Sequence, residues 1–116
     1  MAITECLFCK IVQKKIPSEI VYEDDLCIAI NDIEPCCPVH ILIMPKQHIA
    51  SLEEAKNQDE RLLGHIQLVA AKIARGKGIA GQGYRLVCNC GEWGGQAVFH
   101  LHYHLLGGKE LGWPPE

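Results

Sequence analysis

His100, His102 and His104, half of the six histidines in the chain, stand at every second position of Val98-Phe99-His100-Leu101-His102-Tyr103-His104-Leu105-Leu106, with apolar residues filling the gaps. An imidazole titrates near neutrality, so it can attack an electrophile, carry a proton or hold a metal ion. In a β-strand successive side chains point to opposite faces, which puts all three rings on one face and Phe99, Leu101, Tyr103 and Leu105 on the other. A helix would scatter the rings by about 100° per step. Packing alone is a poor reason for three imidazoles in a row, because a core strand would use Val, Ile or Leu. One shared metal ion is a poor reason too. A rise of about 3.3 Å per residue sets the outer two Cα atoms roughly 13 Å apart, whereas each Zn–N bond is about 2.0–2.1 Å.

Other residues of matching chemistry are spread along the chain. Cys6-Leu7-Phe8-Cys9 runs into Lys10-Ile11-Val12-Gln13, so the second cysteine opens a short helix with Leu7, Phe8 and Ile11 as its apolar positions. The Cys-x-x-Cys spacing suits two of the four ligands of a tetrahedral zinc site. Zinc ranks above a thioredoxin-like redox pair, which needs a preceding strand that five residues do not supply, and redox ranks above two inert core thiols. Asp32 at a strand end offers acceptor oxygens to a sugar diol, or equally closes an Asx turn. His40 on an apolar strand and His48 in the following loop are, taken singly, ordinary core and loop histidines. His65, beside a helical apolar stripe, reads as structural. Cys90-Gly91-Glu92-Trp93-Gly94-Gly95-Gln96 brings glycines directly before the histidine strand, where backbone N–H groups could meet a phosphate or simply close a hairpin.

The elements that must position these groups follow from hydrophobic periodicity. With 116 residues, the chain is expected to form one domain, 1–116, with a core of its own. Strands are expected at 19–23, 26–33, 39–44, 84–89 and through the histidines, with Pro17 closing the first helix and Pro45 the third strand. A long helix is expected from 52 to about 76, N-capped by Ser51 with Glu54 completing a capping box. A formal net charge of −3 with no run of like charges argues against general nucleic-acid or anionic-membrane binding and for a small ligand. The start lacks the basic and apolar regions of a signal peptide, no apolar run has the length of a membrane span, and the expected location is cytoplasmic. Seven cysteines there read as thiols or metal ligands rather than disulfides.

Gln96-Ala97-Val98-Phe99-His100-Leu101-His102-Tyr103-His104-Leu105-Leu106 resembles the histidine-triad signature, His-φ-His-φ-His-φ-φ, of the HIT nucleotide-binding proteins. Ile33 with its following turn, the run from Val39 through His40 and Pro45 to His48 and Ile49, the Asn89 strand and the tail Gly112-Trp113-Pro114-Pro115 resemble the Hint branch. The resemblance implies an α+β, HIT-like fold. A five-stranded antiparallel sheet with one long and one short helix would pair with that of a second copy across a two-fold axis, making a homodimer. It implies hydrolysis at the α-phosphorus of purine nucleotides or nucleoside phosphoramidates, with His102 forming a covalent nucleotidyl-histidine. Family roles put Asp32 on the ribose and Leu7, Phe8, Ile11 and Ile30 around the base. Asn89, Gly95, Gln96 and His104 surround the phosphate, His40 stands close to the nucleophile, and Trp113 joins the nucleotide-binding set. In bacterial-type members with a similar Cys-x-x-Cys, the residues matching Cys6, Cys9, His48 and His100 hold a structural zinc. Such a closed Cys₂His₂ set leaves no open position, so no cofactor is needed for catalysis.

The expected chemistry is attack by an unprotonated imidazole whose other nitrogen is fixed by a hydrogen bond. Glycine-turn amides and a cationic His104 would stabilise the equatorial oxygens. Two places depart from the family pattern: Ala97 stands where Hint-like proteins usually carry serine, and in the base pocket Asn31 replaces a histidine and Ile30 an aromatic. A second reading, of a different class, is a nucleotide-binding adaptor or regulatory protein with vestigial chemistry.

Overall fold

Apolar runs bounded by turn residues become five strands and two helices in the computed structural model, which describes residues 6–115. The elements are α1 (Leu7–Val12), β1 (Ile20–Glu23), β2 (Cys27–Asn31), β3 (Val39–Pro45), α2 (Glu60–Gly76), β4 (Arg85–Val87) and β5 (Tyr103–Gly107). The sheet is antiparallel throughout, in the order β1-β2-β3-β5-β4. Residues 1–5, read above for a signal sequence, lie outside the described residues. No helix among the described residues is long and apolar enough to cross a membrane.

The β1–β2 hairpin is set by Asp24, whose Oδ1 accepts the N–H groups of Leu26 and Cys27 at 2.8 and 2.9 Å. Its Oδ2 accepts from Tyr22 and from His65 Nε2, at 2.8 and 2.6 Å, so His65 is structural as expected. Cys27, Ile28, Ala29 and Ile30 of β2 are all buried because both faces of the sheet are covered here. On one face Cys27, Ala29, Ile41, Ile43, Tyr103 and Leu105 meet Ile66, Val69, Ala70 and Ile73 of α2. On the other, Ile28, Ile30, Leu42 and Met44 meet Phe8 and Ile11 of α1. Full burial of one such side chain stabilises the fold by about 1.5–3 kcal/mol. The site is built on the second face, which a helix of only two turns covers incompletely.

Five expected elements are shorter than their sequence patterns, among them the strands drawn at 19–23 and 26–33, which are Ile20–Glu23 and Cys27–Asn31. The helix drawn over 52–76 begins at Glu60, and the residues before it form two 3₁₀ turns, Leu52–Glu54 and Asn57–Asp59. Ser51 makes no side-chain cap, and the expected Glu54 capping box is not formed. Instead the Asp59 carboxylate accepts the Lys56 N–H at 2.9 Å. Asn57 and Asp59 are residues whose side chains compete with the helix for backbone groups, which explains the late start. The fourth strand keeps only Arg85–Val87 of 84–89.

The histidine strand enters the sheet only at Tyr103, so of the three triad histidines only His104 lies in β5. Its antiparallel partner, β3, ends at Pro45, which has no N–H to continue the ladder. Leu101 N–H bonds instead to Ile49 O in the loop beyond, at 2.6 Å. Leu101, Tyr103 and Leu105 are buried as one packing face, while Phe99, expected on the same face, is partly exposed because the chain is not yet in the sheet there.

Candidate active site and metal centre

The side chain of Cys6 caps α1, its Sγ accepting the Cys9 N–H at 3.3 Å, and this brings both thiols to the start of one helix. Against them come His48 from the loop after β3 and His100 from the segment before β5. One ligand atom from each of the four lies within 4.8 Å of the others. Nδ1 of His100 is 3.4 Å from Cys6 Sγ, 3.5 Å from Cys9 Sγ and 3.3 Å from His48 Nδ1, and His48 Nδ1 is 3.2 Å from Cys9 Sγ. A tetrahedral zinc ion with Zn–S near 2.3 Å and Zn–N near 2.0–2.1 Å has S···N edges of about 3.5 Å and N···N edges of about 3.4 Å.

The donor chemistry agrees with this spacing. His100 donates Nε2–H to Pro45 O at 2.8 Å, which leaves the Nδ1 lone pair facing the sulfurs, the arrangement that orients a ligating imidazole. Burial pushes His100 down to about 4, so the ring is neutral at pH 7. Burial, then the Cys6 thiol, pushes Cys9 up to about 11, so it ionises readily only when a cation supplies the compensating charge. Cys6, Cys9, His48 and His100 therefore fit a four-coordinate structural zinc ion.

Beside this cluster lies a pocket of about 320 Å³ walled by Leu7, Phe8, Ile11, Ile30 and Leu42 and lined at its polar end by Asp32, His102 and His104. His102 donates Nδ1–H to the main-chain oxygen of His100 at 2.7 Å, so in the neutral ring Nε2 is the free lone pair. The Phe8 ring packs edge-on against it, with centroids 4.9 Å apart. Burial lowers its pKa below the usual histidine value, against the opposing pull of the His100 carbonyl and Asp32. His100 thus turns its side chain to the metal cluster and its carbonyl to His102.

His40 and His104 form a relay whose proton positions follow from its fixed end. The Cys36 N–H donates to His40 Nδ1 at 3.1 Å, so the neutral ring carries its proton on Nε2. That proton faces His104 Nδ1 at 2.9 Å and Asp32 Oδ2 at 3.3 Å. With Nδ1 accepting, neutral His104 keeps its proton on Nε2, as a donor. Burial, then the neighbouring His102 and His40, pushes His104 down to about 4. In the ligand-free pocket His104 is therefore neutral at pH 7, because a buried ring between two other imidazoles is a poor place for a proton.

The remaining expected residues divide. Asp32 uses Oδ1 in a turn, accepting from Glu34 N–H at 2.8 Å, holds Oδ2 3.3 Å from His40 Nε2, and lines the pocket. In the glycine turn the N–H groups of Gly95 and Gln96 are taken by Glu92 O and Gly91 O. The Gln96 side chain donates to Ala50 O and Val98 O and accepts from Gly91 N–H. Without a ligand, these amides close the turn. Asn89 also braces the turn, donating to Gly94 O at 2.8 Å, and with His40 and His104 it lines an adjoining cleft of about 380 Å³. Trp113 is 80% exposed, outside both cavities, beneath the Arg85 guanidinium.

Two contributors escaped the sequence reading. Glu19 is the first, its Oε1 accepting from the side chain of Asn31, already placed in the base pocket, at 2.7 Å, and both line the pocket. Only the pairing of β1 with β2 brings them together, a signal available once a hairpin register is assumed. The Cys36 N–H is a backbone group and leaves no trace in residue type.

Comparison with known proteins adds a common frame to this geometry. The family model described as HIT domain matches residues 13–111. An uncharacterised HIT-like protein of Synechococcus elongatus is 53% identical over 111 residues, covering 96% of either chain. The crystal structure of a HIT family hydrolase from Legionella pneumophila superposes with a TM-score of 0.95 at 47% identity, over 97% of this chain and 100% of that one. A histidine triad nucleotide-binding protein from Candida albicans gives a TM-score of 0.80 at 31% identity, over 97% of this chain and 85% of that one.

Proposed function

The chain belongs to the HIT domain family, and from that we propose that it is a nucleotide hydrolase that cleaves purine nucleoside 5′-monophosphate derivatives, phosphoramidates among them, through a nucleotidyl-His102 intermediate. The observation that carries the reading is the His102 ring, which lines the pocket with its Nδ1–H tied to the His100 carbonyl and Nε2 left as lone pair. The apolar wall of Leu7, Phe8, Ile11 and Ile30 suits a base, and Asp32 Oδ2 suits a ribose diol.

In the first step the Nε2–P bond forms and the bond from phosphorus to the leaving nitrogen breaks. Water then attacks phosphorus, the Nε2–P bond breaks, and the nucleoside monophosphate leaves. His104 Nε2–H hydrogen-bonds the leaving atom, hands it a proton and takes one back from the water. An anionic phosphate beside His104 favours its charged form, so proton uptake accompanies substrate binding. His40, pinned by Cys36, holds the His104 tautomer. A zinc ion on Cys6, Cys9, His48 and His100 would tie α1, and with it the pocket wall, to the sheet. Gly95, Gln96 and Asn89 shape the turn ahead of the phosphate end.

We further propose a homodimer. The sheet ends in β4, whose outer edge has no partner strand among the described residues, and Leu68 of α2 is 73% exposed. The adaptor reading draws on Ala97, which lines the pocket without a side-chain donor. The test is to mix the protein with adenosine 5′-phosphoramidate, follow AMP release, and quench early turnover for mass analysis. An acid-labile nucleotidyl adduct on His102 supports the mechanism. Tight AMP binding with no turnover for several leaving groups supports the adaptor instead.

A further inference from the structure

The turn between β2 and β3 carries two thiols that the proposed reaction does not use. In Pro35-Cys36-Cys37-Pro38, adjacent cysteines sit between two prolines whose rings restrict the backbone on either side. Cys36 is exposed and Cys37 buried. Their Sγ atoms are 3.9 Å apart, and the Cys37 thiol donates to Val39 O at 3.0 Å.

A disulfide is a poor use for this pair. Adjacent Cα atoms lie about 3.8 Å apart, short of the roughly 4.4–6.8 Å that disulfides span, and the sulfurs would have to close to about 2.05 Å. An ion between them requires no such movement. Two metal–sulfur bonds of about 2.3 Å to atoms at this separation subtend roughly 116°, near a trigonal angle. Thiolates select soft ions, Cu(I) foremost. Burial and the neighbouring Cys37 push the Cys36 thiol up, so Cys36 ionises readily only when a cation offsets the charge that two adjacent thiolates would place together.

The pair is also joined to the relay. The main-chain N–H of Cys36 donates to His40 Nδ1, and Cys36, His40 and His104 line the same cleft. A ligand that shifts the Cys36 backbone therefore shifts the group that sets the His40 tautomer.

We propose that Cys36 and Cys37 form a binding site for a soft monovalent cation of the Cu(I) class, and that its occupation acts on His40 through the Cys36 main chain. On binding, two S–H bonds break, two S–Cu bonds form, two protons pass to solvent, and copper stays in the +1 state.

The test is an anaerobic titration of the full chain with Cu(I) against a chromogenic Cu(I) chelator, with the imidazole signals of His40 followed by NMR. Wild type is expected to hold one equivalent more than Cys36→Ser/Cys37→Ser, and to hold it at least tenfold tighter than the single variant Cys36→Ser, whose exposed side chain spares the fold. Cys88→Ser/Cys90→Ser is expected to retain that equivalent. The His40 signals should move with copper in wild type and stay fixed in the double variant at 36 and 37. Equal copper uptake with and without these two thiols, or loss only in the variant at 88 and 90, overturns the site. Copper held at Cys36 and Cys37 with the His40 signals unmoved overturns the coupling. Neither readout requires turnover, so the outcome is separate from the proposed hydrolysis.

Discussion

Two clusters of histidines lie side by side in this fold, and the atom behind one ring in each decides what that cluster can do. His100 has a carbonyl behind it, from Pro45, which takes the Nε2–H and leaves Nδ1 bare toward Cys6, Cys9 and His48. His40 has an N–H behind it, from Cys36, which fills Nδ1 and puts the proton on Nε2, toward His104 and Asp32. By spacing alone Asp32, His40 and His104 are as close as metal ligands. A His40 ring whose Nδ1 is filled by the Cys36 N–H has no lone pair on Nε2 for a cation, and under the proposed function this second set serves as a proton relay. Residue type and distance are shared by both clusters, and the backbone group behind one ring separates the set that fits a metal ion from the set we propose for acid–base work.

The largest effect that tests this division is expected for His102→Ala, which removes the one lone pair aimed at the substrate. Turnover of adenosine phosphoramidate should fall by at least about 10³-fold while AMP binding by calorimetry and zinc content stay at the wild-type level. Near-normal turnover would dissolve the distinction between the clusters. Cys6→Ser/Cys9→Ser acts on the other side. Elemental analysis should show zinc lost, and thermal unfolding should show a loss of several kcal/mol, with weaker AMP binding because Phe8 and Leu7 lose their anchor. Retention of stoichiometric zinc in that variant would refute the four-ligand centre.

Acidity probes both clusters. His100 and His104 sit near 4 in the folded chain against about 6.5 unfolded, so between these values the unfolded state binds more protons. Stability of the metal-free protein is then complete above pH 6.5 and declines as pH falls toward 4, by on the order of 3 kcal/mol from fully buried His100 alone. Denaturant melts across that range measure it, and a flat profile would contradict the buried neutral rings. The smallest expected effect is that of His40→Ala, about 10²-fold in kcat/KM. Since His40 helps hold His104 down, the acid limb of the kcat/KM profile should also move to higher pH. A variant slowed without that movement would make His40 a packing residue.

The residues of the metal cluster were legible, though only through family resemblance, because a lone Cys-x-x-Cys names two ligands and says nothing of His48 or His100. The apolar wall was legible from α1, since Phe8 and Ile11 recur at helical spacing. The glycine turn was legible only as a turn, because a glycine-rich sequence announces close backbone approach without saying whether the amides face a ligand or one another. The stripe beginning at 52 overran the true helix because side chains at 57 and 59 can bond backbone groups locally.

By itself the sequence determined the alternation that aligns His102 and His104, the apolar periods that make a two-faced sheet, and the thiol spacing that starts α1, since each depends on neighbours a few residues apart. Tertiary structure decided the tautomers. Whether His40 meets an N–H and His100 and His102 meet carbonyls depends on backbone groups of Cys36, Pro45 and His100, which every residue carries and which only the folded chain aims.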